Sequence, residues 1–354
     1  MSARPAPFKT LLSSYRPLAP SASVKVSPLC LGSTNFGYAW YKAIYGRMQQ
    51  TNYVEILDYY YNSGGNFVDT AGNYQKEQSE TWISYRTYRS DEIQANFVRN
   101  STRNLRLSVE ASLKKLRTSY MDLWEFGTSI EEVTQSLNQL VISRKVLYLG
   151  ISDTPALVVS KANQYARDHG LWPFPVYLGR WSAASRDFER DIIPMAQSEG
   201  MGICAWCALG GGNFKSAERE ALQSDGNPGR KLAPPSLIDI TIFEALERIA
   251  KRYNTSLTAV AFAYVMLKAP YSYPIPGGRK VEHLKGNIAA LEIALTTEDI
   301  EGIEGAAPIH TGFPMNFLTQ GQAKEVGPAS ILFTKMAGHF DSLKAPVAIR
   351  PKKE

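Results

Sequence analysis

Cysteine is scarce in this sequence, with three residues in a chain of 354. So few cysteines do not support a framework of disulfide bonds. Two of them, Cys204 and Cys207, form a CxxC motif inside the apolar run "GICAWCALG". Side chains three positions apart on a strand face opposite sides, so the spacing predicts core residues. A redox or metal role is the alternative, and neither a second CxxC nor a histidine pair stands nearby to support it.

Long hydrophobic runs are missing as well. The longest, "LTAVAFAYVML" at 257–267, is shorter than the roughly 18 residues that cross a bilayer, and we interpret it as a buried helix. The first 25 residues are rich in proline and contain no apolar core of the length found in signal peptides. We therefore expect a cytoplasmic protein without a membrane partner.

A strong charge of one sign is also absent. The formal net charge is +6 and is spread along the chain, with no block of lysine and arginine interleaved with aromatic residues. This distribution favours a small anionic ligand over nucleic acid. The composition, 44% hydrophobic and 20% charged, is typical of globular proteins and indicates neither a disordered nor a fibrous chain.

Short apolar stretches alternate with longer amphipathic segments, the pattern of repeated βα units around a parallel sheet. The strand candidates are "SPLCLGSTNFG", "NFVDTA", "YMDLWEF", "VLYLGISD", "FPVYLGRWS", "GMGICAWCALG" and "YSYPIPGG". No three-glycine dinucleotide fingerprint follows the first of them, which favours a (β/α)8 barrel over a doubly wound sheet. The predicted barrel spans residues 26–308, between a Pro-rich extension (1–25) and an irregular tail (309–354).

Two helix starts and one long loop are also predicted. Ser129 precedes two glutamates in "TSIEEV", and Thr154-Pro155 opens a second helical segment, with proline in its first turn. From 213 to 240 the sequence is polar and contains Pro-Gly and Pro-Pro pairs. A loop of this length in a compact domain is usually a lid or a disordered segment.

An acid and a phenol stand at the end of the second candidate strand. In "NFVDTAGNYQ" a carboxylate, Asp69, closes the apolar run, and Tyr74 follows five positions later. In a barrel the reacting groups collect at the carboxyl ends of the strands. The pair therefore marks a candidate active site, and the alternative is a strand-end cap beside a packed tyrosine ring.

The chain resembles the aldo-keto reductase family, the NAD(P)H-dependent reductases of aldehydes and ketones. Within that family it is most similar to the fungal aryl-alcohol dehydrogenase branch, which includes the norsolorinic acid reductases of mycotoxin pathways. The resemblance runs from about Val26 to Leu318. It rests on the motifs "CLGSTNFG", "GGNFVDTAGNYQ", "LRLSVEASLKKL", "KVLYLGISDTPA", "GRWSAASRDFERDI" and "PGGRKVEHLKGN".

The resemblance implies a mechanism in which a hydride moves to the substrate carbonyl while a tyrosine gives a proton to the oxygen. Tyr74 matches that proton donor, and Asp69 matches the carboxylate of its network. In the family a lysine beside the tyrosine favours the phenolate and a histidine orients the carbonyl. The implied substrate is an aromatic or polyketide carbonyl.

The resemblance also implies the residues that hold the nicotinamide end of the cofactor. Ser152 and Asp153 match the pair that binds the carboxamide, while Leu178 replaces the glutamine that assists them. Trp206 matches the ring that stacks on the nicotinamide, with plain core packing as the alternative. The pyrophosphate segment is matched by Leu209, Gly210, Gly211 and Gly212, in which Gly211 replaces a common arginine.

The segment "PGGRKVEHLKGN" matches the binding site for the adenosine 2′-phosphate. Its glycines free backbone N–H groups and its two cations suit a phosphate, which favours NADPH over NADH. A solvated helix start is the alternative for the cations. The implied residues are Gly277, Gly278, Arg279, Lys280, His283 and Asn287.

Two catalytic positions of the family are missing. Between Asp91 and the next helix no lysine stands where the family has one, and "YMDLWEFGTSIEEV" is shorter than the matching segment and contains no histidine. We expect the third and fourth strand regions of the barrel to be shortened. Arg99 is the nearest cation in sequence to the missing lysine, and a surface arginine is the alternative interpretation of it.

Three hypotheses follow from these matches and losses. The first is an NADPH-dependent reductase of an aromatic or polyketide carbonyl. The second is a catalytically impaired or inactive homologue that binds nucleotide or a partner protein. The third is an incompletely assembled gene product, because the losses are contiguous blocks beside well-matched flanks.

Overall fold

The structure, a computed structural model, describes residues 10–40, 50–84, 128–212, 234–320, 331–338 and 346–351. The strands are β1 (Arg16–Ala19), β2 (Ala22–Val26), β3 (Leu31–Gly32), β4 (Val68–Asp69), β5 (Gly150–Ser152), β6 (Val176–Arg180), β7 (Gly202–Trp206) and β8 (Ser272–Pro274). The longer helices are α1 (Gln50–Asn62), α2 (Gln78–Ser84), α3 (Ile130–Ile142), α4 (Ala156–Asp168), α5 (Ile192–Ser198), α6 (Leu237–Arg252), α7 (Leu257–Lys268), α8 (Val281–Ile288) and α9 (Thr297–Ala306). Two short helices follow, α10 (Met315–Leu318) and α11 (Leu332–Ala337).

The six parallel strands of the described chain form one sheet of two strands and one of four. β3 pairs with β4, and β5 to β8 pair in chain order. The first and last of these strands also meet, because Gly32 N–H donates to the Pro276 carbonyl at 2.9 Å. Contact between the first and last strands of a series of βα units is the closure expected of a barrel.

Six of the seven candidate strands lie in the described part of the chain, as β3 to β8. The seventh, "YMDLWEF", and the predicted shortening of the third and fourth strand regions lie outside the described residues, as does Arg99. Ser129 caps α3 as predicted, since its hydroxyl accepts from Glu132 N–H at 3.1 Å. Pro155 occupies the position directly before α4.

The predicted loop over 213–240 was wrong at its end, because α6 begins at Leu237. Ser236 and Asp239 form a reciprocal capping box there, with 2.8 Å from Ser236 N to the Asp239 carboxylate and 3.1 Å from Asp239 N to the Ser236 hydroxyl. Such a box satisfies two backbone donors at once and starts the helix. Residues 213–233 lie outside the described part of the chain.

A β-hairpin covers the barrel at the end opposite the carboxyl ends of its strands. β1 and β2 pair antiparallel, and their buried side chains Leu18 and Ala22 pack with Val176 and Tyr273 of the barrel strands. A side chain at Gly202 would overlap the Leu18 carbonyl, so the close approach of the hairpin requires glycine there. No strand was predicted for the residues of this hairpin.

The main core lies between the strands and the helices around them. α7 has an unbroken buried run from Ala259 to Met266, which confirms the prediction of a buried helix. Cys204 is buried in the cluster beneath the hairpin, as predicted for a core residue. In the described part of the chain, no helix is both long enough and apolar enough to span a membrane.

Candidate active site

A cavity of about 620 Å³ opens at the carboxyl ends of the parallel strands. This is the face on which barrels of this kind carry their reacting groups. The structure brings most of the predicted site residues to the wall of this cavity. They are Asp69, Tyr74, Ser152, Asp153, Leu178, Trp206, Leu209, Gly211, Gly212, Gly277, Gly278, Arg279, His283 and Asn287.

Two predicted residues do not line the cavity. Gly210 belongs to the same glycine run as two residues that do, but it precedes them on the turn that leaves β7. Lys280 is the residue directly before α8, and its side chain is exposed. Arg279 and Lys280 are neighbours in the sequence, but Arg279 lines the cavity and Lys280, at the start of α8, does not.

Asp69 and Tyr74 are in direct contact. β4 ends at Asp69, and a turn held by the bond from Tyr74 N–H to the Ala71 carbonyl (3.1 Å) brings the tyrosine back over the strand end. The Tyr74 hydroxyl donates to the Asp69 carboxylate. Burial raises the pKa of Asp69 from 3.8 to about 6, and the hydrogen bond from Tyr74 opposes that rise. The site therefore contains a carboxyl group that titrates close to neutral pH.

Among the described residues that line the cavity there is no lysine. The cation and the histidine that do line it, Arg279 and His283, belong to the segment that follows β8. The acidic side chain that is hydrogen-bonded to Tyr74 in the described structure is that of Asp69.

Replacing Asp69 by asparagine tests the unfavourable burial of its charge. Between about pH 4 and 6, Asp69 is more protonated in the folded protein than in the unfolded chain. The free energy of unfolding therefore falls as the pH rises through this range, and it stays low above pH 6. Asp69→Asn removes this penalty. We expect the variant to be more stable than the parent by about 1 to 2 kcal/mol near pH 8 and about equal near pH 4.

Urea denaturation at both pH values measures this difference. The matched control is Asp58→Asn, because Asp58 is an exposed aspartate on α1. A stability gain that is the same at both pH values would contradict the account, since it would not arise from the titration of Asp69.

The side chain of Asp153 joins the ends of β5 and β7. Ser152 donates from its hydroxyl to one carboxylate oxygen of Asp153 at 2.8 Å, and the Trp206 indole N–H donates to the other at 3.0 Å. The Asp153 backbone has a positive φ of 49° and donates its N–H to the Leu178 carbonyl at 3.0 Å. The Asp153 carboxylate thereby links the Ser152 hydroxyl at the end of β5 with the Trp206 indole at the end of β7.

The glycine run after β7 supplies bare backbone to the cavity. Gly210, Gly211 and Gly212 have φ values of 62°, 68° and 102°. L-residues with side chains rarely adopt such angles, whereas glycine adopts them readily. The N–H groups of Gly210 and Gly212 donate to the Cys207 and Leu209 carbonyls at 2.8 and 3.2 Å. The run therefore offers the cavity backbone without side chains, which a phosphate group can approach closely.

The turn from β8 to α8 forms the charged end of the cavity. It is held by bonds from Arg279 N–H to His283 Nδ1 (3.3 Å) and from the Asn52 amide to the Arg279 carbonyl (3.3 Å). Burial lowers the pKa of the Arg279 guanidinium, which is partly withdrawn from solvent. A partly desolvated cation on a cavity wall favours an anionic ligand.

Sequence reasoning missed several cavity residues. Ser256, Thr258 and Phe262 line the cavity from the first turns of α7, a helix that we interpreted only as buried core. The capping serine was the available signal, since Ser256 accepts from Ala259 N–H at 3.2 Å and so marks a helix start. Cys207, which was predicted only as a core residue of the CxxC motif, is buried and also lines the cavity. Trp40 lines it too, and no pattern in the sequence distinguished that residue.

Comparison with known proteins identifies the family. The aldo/keto reductase family matches residues 28–308. Norsolorinic acid reductase B of Dothistroma septosporum is 47% identical over 95% of this chain and 94% of its own length. Norsolorinic acid reductase A of Aspergillus parasiticus is 48% identical over 87% and 85%. An NADP(+) aryl-alcohol dehydrogenase of Phanerodontia chrysosporium is 40% identical over 97% of both chains.

These alignments also show that the chain is internally shorter than some relatives. The alignment with the P. chrysosporium enzyme has 380 positions, more than the 354 residues of this chain. Some residues of the relative therefore have no counterpart here. The match to the family nevertheless covers all six described barrel strands. The chain is thus an oxidoreductase of the aldo/keto reductase family, the NAD(P)H-dependent (β/α)8 barrels that reduce carbonyl groups.

Proposed function

We propose that this protein catalyses the NADPH-dependent reduction of an aromatic or polyketide carbonyl, with Tyr74 as the proton donor. The observation that carries the proposal is one cavity whose wall contains the Asp69–Tyr74 pair, the indole of Trp206 and the guanidinium of Arg279. An acid, an aromatic surface and a phosphate-binding cation are the groups that this reaction needs from the protein.

The residues present fit a dinucleotide. Bare backbone at Gly211 and Gly212 suits the pyrophosphate, and Arg279 suits an additional phosphate on the adenosine ribose. Ser152 and Asp153 offer polar atoms for a carboxamide. When bound, NADPH supplies the hydride that the carbonyl carbon receives.

The protein's own part in the reaction is the proton. As the carbonyl oxygen gains charge, Tyr74 gives it the phenolic proton, so that the oxygen becomes the hydroxyl group of the product alcohol. Asp69 contacts the same phenol and titrates at about 6. Its protonated form can return a proton to Tyr74 after the proton has gone to the substrate.

The aromatic substrate class is supported by the cavity wall and by the relatives. Trp40, Leu178 and Trp206 contribute apolar surface to the cavity, which suits a flat ring system. The relatives named above include norsolorinic acid reductases and an aryl-alcohol dehydrogenase.

The test of the substrate class is consumption of NADPH by the purified chain with matched aldehydes and ketones. We expect aromatic aldehydes and anthraquinone ketones to be reduced with a kcat/KM at least about tenfold above that of aliphatic aldehydes of similar size. Equal values for both classes would contradict the aromatic substrate.

The absence of lysine from the described cavity wall favours a second candidate, a homologue that binds the nucleotide without turnover. The aligned length that exceeds this chain similarly favours a gene product that lacks coding segments. Sequencing the transcript distinguishes the missing segments from the other two cases. A folded protein that binds NADPH and reduces none of the test carbonyls would point to the binding protein.

A further inference from the structure

We propose that Asp153 is a positioning residue that fixes the indole plane of Trp206 on the cavity wall and thereby sets the surface on which the nicotinamide rests. The inference rests on the proposed function, together with the position of the nicotinamide beside Trp206 that the resemblance implies. Asp153 then has two roles, because it positions Trp206 and is also expected to bind the cofactor carboxamide.

The hydrogen bond between the two residues crosses an intervening strand. β6 lies between β5 and β7 in the sheet. Asp153 directly follows β5, and Trp206 is the last residue of β7. The carboxylate of Asp153 reaches over β6 to the indole N–H at 3.0 Å. A contact between strands that are not neighbours restrains the side chains more than it restrains the backbone.

Leu178, a β6 side chain on the cavity wall, offers the indole no competing hydrogen-bond partner, and the register partner of Trp206 on β6 is Arg180. Leu178 on β6 pairs with Ser152 of β5 and with Cys204 of β7 in the strand register, and it lines the same cavity. The side chain of a leucine neither donates nor accepts a hydrogen bond. With Leu178 at this position, the acceptor for the indole N–H comes from Asp153.

Both ends of the bond are held in place. The second carboxylate oxygen of Asp153 accepts from the Ser152 hydroxyl at 2.8 Å, and its backbone N–H is bonded to the Leu178 carbonyl. The carbonyl of Trp206 accepts from Trp181 N–H at 3.2 Å. With both backbones fixed, the remaining freedom is rotation of the indole about its side-chain bonds, and the bond to Asp153 removes it.

A double-mutant cycle on NADPH affinity separates the two tasks of Asp153. The variants are Asp153→Ala, Trp206→Phe and the pair together, with Asp153→Asn as the conservative variant that retains an acceptor. We expect Asp153→Ala to weaken NADPH binding about tenfold in the parent, but only about twofold in the Trp206→Phe background, which has no N–H to hold. Calorimetry measures the dissociation constants.

The indole N–H resonance gives a second readout that does not need the cofactor. The chain has six tryptophans, and the signal lost in Trp206→Phe identifies Trp206. We expect this signal in the unliganded protein to shift upfield in Asp153→Ala and to stay close to its parent position in Asp153→Asn. The other five signals should stay in place, which excludes general misfolding.

The outcomes distinguish the inference from the proposed function. An unshifted Trp206 signal in Asp153→Ala, or losses of affinity that simply add in the double variant, would overturn the positioning role. A parent protein that binds no NADPH but shows the expected shift would overturn the proposed function and support the bond between the two side chains.

Discussion

Replacing Tyr74 by phenylalanine lowers the rate of carbonyl reduction by about 10² to 10⁴, the range that a positioned general acid contributes. The ring and its packing are retained, so only the proton and the bond to Asp69 are lost. Because the hydroxyl acts as charge develops on the substrate oxygen, kcat falls while the dissociation constant of NADPH stays within about twofold. Steady-state kinetics and calorimetry measure the two quantities.

A matched control for this variant is Tyr61→Phe. Tyr61 lies on α1 with 78% of its surface exposed, so loss of its hydroxyl should leave the rate unchanged. If Tyr74→Phe retained the parent kcat, the proton would come from another group or from water, and the assignment of Tyr74 would be wrong.

Replacing Arg279 by methionine weakens NADPH binding by about 10- to 100-fold and leaves NADH binding within about twofold. The guanidinium is partly buried on the cavity wall, and its charge-assisted hydrogen bonds are expected to go to the extra phosphate that distinguishes NADPH. Methionine retains much of the length and apolar surface of the side chain. Titration of each reduced cofactor measures the two affinities.

The neighbouring lysine provides the control. Lys280 carries the same charge one residue further on, but its side chain is exposed outside the cavity. We expect Lys280→Met to change neither affinity by more than about twofold. Equal losses from the two variants would mean that the positive charge acts through the general field and not through a bond at Arg279.

The barrel was predictable because each of its described strands coincides with a local apolar run in the sequence. The run at Val176 and the run at Ile203 are short, are bounded by helical segments and appear in the structure as β6 and β7. The hairpin of β1 and β2 was not predictable in this way. Its residues pack on the far end of the barrel through Leu18 and Tyr273, which are more than 250 positions apart.

A site residue was predictable from its position when it lies at the carboxyl end of a predicted strand. Asp69 was singled out in this way, whereas Ser152 and Trp206 were predicted only through the resemblance to the family, and the structure brings all three to the cavity wall. Contacts that depend on two distant segments were not visible in the sequence. The bond from Trp206 to Asp153 depends on the order of strands in the sheet. The turn before α8 separates Arg279 from Lys280, although the two are adjacent and equally charged.

The pKa of Asp69 likewise could not be taken from the sequence. Its rise to about 6 follows from burial at the strand end, and the depth of a strand end is a property of the folded barrel. The consequence is a group near Tyr74 that changes its protonation state close to the pH at which the enzyme would work.

The most direct test of the central claim follows the hydride itself. The purified chain is incubated with an aromatic aldehyde and with NADPH that carries deuterium at the transferable position of the nicotinamide, and the alcohol is analysed by mass spectrometry. The proposed function predicts an alcohol with one deuterium on the former carbonyl carbon, in an amount that the Tyr74→Phe variant strongly reduces. A folded protein that binds NADPH but forms no labelled alcohol would contradict the account and leave a nucleotide-binding homologue in its place.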